Sequence, residues 1–71
     1  MSNTELTKKL GKRIHAMRTK KGLSQEAFAE QLGITRGYLS DLERGAREMS
    51  LATLALVAKR TRTTSSKLLG F

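Results

Sequence analysis

Apolar side chains fall along this chain at the spacing of helix faces, and glycines and small polar residues divide them into segments. Leu6, Leu10, Ile14 and Met17, separated by four, four and three positions, form one stripe of a first helix. Asn3 or Thr4 can cap that helix, which runs to about residue 21, where Gly22 supplies a left-handed stop. Ser24 then caps a helix of about two turns carrying Ala27, Phe28, Ala29 and Leu32, and Gly33 ends it. Ile34 is an apolar plug in the turn that follows. Thr35 caps a third helix whose Tyr38, Leu39 and Leu42 share one face until Gly45. After a loop at 45–49, Ser50 caps a fourth helix from Leu51 to about residue 60. Leu51, Leu54, Val57 and Ala58 lie on its core side, and Leu56 falls off that face. Thr63 or Thr64 can cap a short fifth helix over 65–69. The pattern therefore predicts an all-α fold of five helices in a single domain, residues 1–71. Two short helices about a tight turn occupy about 24–45, and the region from about 50 to 71 is left for association.

The outward side of the third helix has its own pattern. At roughly 100° per residue, Arg36, Gly37, Ser40, Asp41 and Arg44 fall in one arc opposite Tyr38, Leu39 and Leu42. Two arginines with a serine, beside a residue lacking a side chain, suit a DNA major groove. There Arg can grip guanine O6 and N7 with two hydrogen bonds, and Ser can reach phosphate. Charged arcs on helices are commonly only solvated faces; the pairing of two short helices through a tight turn favours DNA. Gly37 breaks a local rule, since glycine costs about 1 kcal/mol against alanine inside a helix. Such a breach tends to mark function, here a close approach to the groove or room for Arg36 to swing between bases.

The runs SQEAFA and LGITRGYLSDLERG resemble the Xre-type, lambda-repressor-like helix-turn-helix regulators, from about Leu10 to Leu69. That group includes phage repressors and Cro proteins, antitoxin-type regulators and restriction-modification controller proteins, and TRGYLSDLERGAR looks closest to the controllers. The resemblance implies a five-helix DNA-binding domain acting on an operator as a transcriptional regulator. It implies that Gln25 contacts the DNA backbone, that Arg36 and Gly37 face bases, and that an Arg18–Glu43 pair ties the first helix to the third. In the controllers the arginines matching Arg36 and Arg47 read bases. The chain departs from the family at Thr61 and Thr63, where an aliphatic residue is usual, and at Met49, where a proline often begins the fourth helix.

Charge narrows the partner. Fourteen Lys and Arg against six Asp and Glu leave a net charge of +8, a direct argument for a polyanion. With Phe28 and Tyr38 assigned to the core, the two Phe and one Tyr leave no stacking platform for single strands, so duplex DNA is the simplest partner. The first helix is basic and amphipathic, but its apolar residues are needed for the core and include no Trp or Phe, which argues against a membrane surface. The sequence has no cysteine, so neither a disulfide framework nor a thiolate metal site is expected. Nothing resembles a secretory signal or spanning segment, which makes a cytoplasmic location the expectation. His15 is the only histidine and is expected to be solvated or to face phosphate, with no acidic cluster beside it. Asp41 and Glu43, two apart on one helix, point in different directions and make no carboxylate dyad. Without a nucleophile–base pair, metal-ligand set or phosphate loop, no enzyme and no cofactor are expected.

These readings combine into a homodimer on a pseudo-palindromic duplex operator. Arg36, Gly37, Ser40 and Arg47 are the base-reading candidates, while Gln25, Thr35, Tyr38 and Arg44 would set register through phosphates. Asp41 could accept from cytosine N4, hold Arg36 or Arg44, or repel wrong sequences. Leu56, Leu68, Leu69 and Phe71 are the candidates for contact with a twofold-related partner. Activation would add RNA polymerase, for which no surface can be singled out. The rival reading is an antitoxin-like protein-interaction module that binds DNA secondarily.

Overall fold

Four helices follow one another in the computed structural model, which describes residues 5–62: α1 Glu5–Lys20, α2 Gln25–Leu32, α3 Arg36–Glu43 and α4 Leu51–Thr61. The expected fifth helix at 65–69 lies outside the described residues, as do Leu68, Leu69 and Phe71. Each of the last three helices starts on a side-chain cap. Ser24, Thr35 and Ser50 sit in extended backbone and accept from the amides of Ala27, Tyr38 and Thr53, satisfying donors that the first turn leaves open. At the end of α2, Gly33 takes a left-handed φ of 77° while the Ile34 amide donates back to the Ala29 carbonyl. This is the Schellman arrangement, and it turns the chain sharply enough for Ile34 to pack back onto the core.

The helices enclose one apolar core. Ile14, Phe28, Leu32, Leu39 and Val57 are fully buried, with Leu10, Ala29, Leu42, Leu54 and Ala58 around them. Helix α3 packs against both α1 and α2, and α2 also packs against α4, so the two helices of the turn unit are held from either side. Met17, Leu23, Ile34, Tyr38 and Met49 close the margins of the core. Leu56 is half-buried on α4.

Two leucines assigned to the core faces are not in the core. Leu6 is 48% exposed and Leu51 is 84% exposed. Each stands in the first turn of its helix, where the side chain leans toward the N-terminus and so projects past the neighbour that would cover it. Both border an apolar groove of about 540 Å³ that Leu10, Leu42, Met49 and Leu54 also line.

One close approach between helices is made by a glycine. Gly11 is buried, and a Cβ there would stand 2.3 Å from the Leu42 carbonyl oxygen and 3.0 Å from that of Glu43. Backbone therefore meets backbone between α1 and α3. The seat of α3 is fixed at this point by main chain and not by an adjustable side chain.

Candidate nucleic-acid interface

The inner arc of α3 is buried through Leu39 and Leu42, and the opposite arc is open. Arg36, Gly37 and Arg44 are exposed, while Ser40 and Asp41 are partly covered. Gly37 has nothing within 4 Å of the place its Cβ would occupy, so the fold itself does not demand glycine there. A shallow depression of about 650 Å³ runs beside the helix, lined by Ile34, Thr35, Gly37, Tyr38, Asp41 and Arg47. Arg36, Ser40 and Arg44 stand on the arc outside that lining.

The loop after α3 folds Arg47 back onto this surface. Its guanidinium lies 5.2 Å from the centroid of the Tyr38 ring, and its Nη2 is 3.6 Å from Asp41 Oδ2. The other Asp41 oxygen accepts from Arg44. Asp41 thus holds Arg44 and approaches Arg47, and of the arginines considered from sequence it does not engage Arg36. The Tyr38 hydroxyl is turned away, donating to Thr53 Oγ1 on α4 at 3.3 Å.

Behind the arc, Glu43 gathers three partners. Arg18 donates to both carboxylate oxygens, Nε to Oε2 at 2.8 Å and Nη2 to Oε1 at 3.1 Å, and its Nη1 donates to the Leu23 carbonyl. His15 Nδ1 is 2.9 Å from Oε1, and Gln25 Nε2 donates to the same oxygen at 3.3 Å. One carboxylate on α3 therefore binds α1 through two residues and α2 through one. Burial pushes the Glu43 carboxyl up, but the hydrogen bonds from Arg18, His15 and Gln25 and the charge of Arg18 outweigh it, leaving it below the usual carboxylate range. The bond to Glu43 raises the Arg18 guanidinium in turn. Lys12, His15, Arg18, Gln25, Glu43 and Arg44 line a second depression of about 480 Å³, at the start of α2.

His15 is exposed and has no acidic cluster beside it among the described residues, but it does have one acidic partner that the sequence did not reveal. Its partner Glu43 is 28 positions away in sequence. The available signal was its spacing: three residues before Arg18, it shares one side of α1 with a cation already assigned to Glu43. Leu56, the one dimer candidate within the described residues, lies on α4 apart from these depressions. No group of three or more His, Cys, Asp or Glu among the described residues could hold a metal, and no described helix is long and apolar enough to cross a membrane.

A short capped helix, seated on two others with its polar arc outward in a strongly basic chain, defines the class of helix-turn-helix DNA-binding domains. Residues 14–68 match the helix-turn-helix family, and the chain belongs to it as an Xre-type regulator homologous to controller proteins. Control protein C.SmaI of Serratia marcescens is 38% identical over 60 residues, which cover 84% of this chain and 71% of that protein. The crystal structure of the restriction-modification controller protein C.AhdI from Aeromonas hydrophila matches with a TM-score of 0.79 at 37% identity, over 87% of this chain and 94% of that one. The controller protein C.Esp1396I, solved as a tetramer in complex with its natural 35 base-pair operator, matches with a TM-score of 0.81 at 27% identity. That match covers 94% of this chain and 88% of the C.Esp1396I chain.

Proposed function

We propose that this protein is a controller-type transcriptional regulator that binds a pseudo-palindromic duplex operator as a homodimer. The observation that carries the reading is the division of α3, with Leu39 and Leu42 buried and Arg36, Gly37, Ser40, Asp41 and Arg44 on the open side. Each α3 enters one major groove, with the two half-sites about one helical turn, roughly 34 Å, apart. Arg36 reads bases first, with Ser40 and Arg47 beside it, and Gly37 lets the helix come close. Gln25, Thr35 and Arg44 hold the DNA backbone, and Tyr38, whose hydroxyl donates to Thr53, backs Arg47 with its ring. Leu56 and the residues 68, 69 and 71 contribute to the partner contact. The protein acts in the cytoplasm and without a cofactor, and RNA polymerase becomes a partner where bound protein activates. The net charge of +8 supplies sequence-independent attraction through counterion release, and the base contacts supply the preference. The relatives favour this reading over an antitoxin-like interaction module, since the matched controller C.Esp1396I was solved on its operator.

Selection of tight binders from a randomised duplex library, in moderate salt with excess nonspecific competitor, tests the proposal. Recovery of an inverted repeat is the expected result, and its spacing reports the dimer geometry. Binding without any recovered motif would overturn it and reduce the basic surface to nonspecific attraction.

A further inference from the structure

Asp41 is an anion on an outward arc whose other charged residues are arginines, and it engages one of these and a further arginine from the loop after α3. One oxygen pairs with Arg44, and the other lies 3.6 Å from Arg47. The side chains of Arg44 and Arg47 are 65% and 58% exposed, against 29% for Asp41, so the arginines reach outward over a more sheltered carboxylate. Asp41 and Arg47 share the depression beside Gly37 and Thr35. We infer that Asp41 determines specificity by suppressing binding to generic duplex DNA, an inference that rests on the DNA-binding function proposed above.

Capture of either arginine by DNA is an exchange of partners. A phosphate that captures Arg44 or Arg47 replaces one anionic partner of that arginine by another. The exchange gains little and leaves the Asp41 carboxylate facing a polyanion. Guanine O6 and N7 and thymine O4 are acceptors and cannot answer an ionised carboxylate, whereas cytosine N4 and adenine N6 can donate to it. Release of the two arginines is therefore favourable only where a base edge donates to Asp41. Elsewhere the carboxylate acts as the repulsive element that separates correct from incorrect sequences.

The test uses the full chain and two duplexes, one of random sequence and one recovered by the selection described above, in anisotropy titrations over a salt series. Asp41→Asn frees about one cation for phosphate. It should steepen the slope of log affinity against log salt by about one unit, and tighten random-duplex binding about tenfold at 0.1 M salt. Affinity for the selected duplex should change less, so the ratio of selected to random affinity falls, while Asp41→Glu should keep the wild-type ratio. Asp41→Ala repeats the test with a different side chain, and thermal melts verify that each variant folds. An Asp41→Asn protein with the random-duplex affinity and salt slope of wild type would overturn the inference. So would equal losses on both duplexes. A wild-type protein that shows no preference for the selected duplex would instead refute the DNA-binding reading.

Discussion

Gly11 and Gly37 allow one substitution to be tested at two helical positions where it should act with opposite sign. Alanine gains about 1 kcal/mol of helix propensity over glycine in a helix interior such as Gly11, and less than that at Gly37, the second residue of α3. At Gly37 the added methyl meets nothing within 4 Å, so this smaller gain should be expressed without a steric penalty. At Gly11 the methyl would stand 2.3 Å from the Leu42 carbonyl oxygen, where ordinary contact begins at 3.4 Å. Helices α1 and α3 must then part by about an ångström along a buried seam, and the obstacle is backbone, which cannot rotate away. Overpacking a core costs about 1–3 kcal/mol even where side chains can adjust. With rigid main chain at the upper end of that range or beyond, and the propensity gain subtracted, Gly11→Ala should lose about 2 kcal/mol or more. In a chain of this length 1 kcal/mol moves Tm by about 4–8 °C. Melting followed by circular dichroism should therefore place Gly37→Ala about 2–4 °C above wild type and Gly11→Ala about 10 °C or more below it. Protein concentration is held fixed, because dimer formation would add its own contribution to Tm. A Gly11→Ala protein that melts at or above wild type would refute the backbone contact between α1 and α3. The same Gly37→Ala protein, although more stable, should bind its selected duplex more weakly. Unchanged affinity and sequence preference would remove any role for the open space at Gly37.

Arg36→Ala should cost about 1–3 kcal/mol of binding to the selected duplex and relax preference at one base pair, and an equal loss on random duplex would refute its assignment to base reading. Glu43 is held below the usual carboxylate range in the folded chain, so its stabilisation is present at neutral pH and is lost as pH falls through that range to the depressed value. Glu43→Gln should accordingly melt lower at pH 7 and lose less stability on acidification than wild type; identical acid limbs in Tm against pH would contradict this. Thr35→Ala removes the acceptor for the Tyr38 amide at the start of α3 and should cost about 1 kcal/mol in denaturant unfolding, with the wild-type m-value retained.

What could be read in advance was what single residues dictate locally. Ser24, Thr35 and Ser50 announce helix starts because a short side-chain oxygen meets an open amide one turn on, whatever lies elsewhere in the chain. Gly22, Gly33 and Gly45 announce the stops, and all three take positive φ. The buried positions Leu39 and Leu42 follow from helical spacing, and so does the open arc opposite them. Periodicity gives the side of a helix that turns inward but not how far its neighbour extends, so it could not separate Leu10 from Leu6 or Leu54 from Leu51. The contact at Gly11 depends on the approach of two backbones and leaves no mark in hydrophobic patterning. The link from His15 to Glu43 depends on how α1 crosses α3. The approach of Arg47 to Asp41 depends on the path of the loop at 45–49, which helical spacing does not reach.

The line that divides α3 lengthwise also divides what mutation can reach. Its inner residues and Glu43 are committed to the mount, whereas replacements on the exposed arc, Gly37 apart, fall in the class that shifts stability by about half a kilocalorie per mole or less. A lineage carrying this domain can therefore change its target through a few surface replacements, each intermediate still folded and still basic enough to stay near DNA. The drift of recognition is uncoupled from the survival of the scaffold.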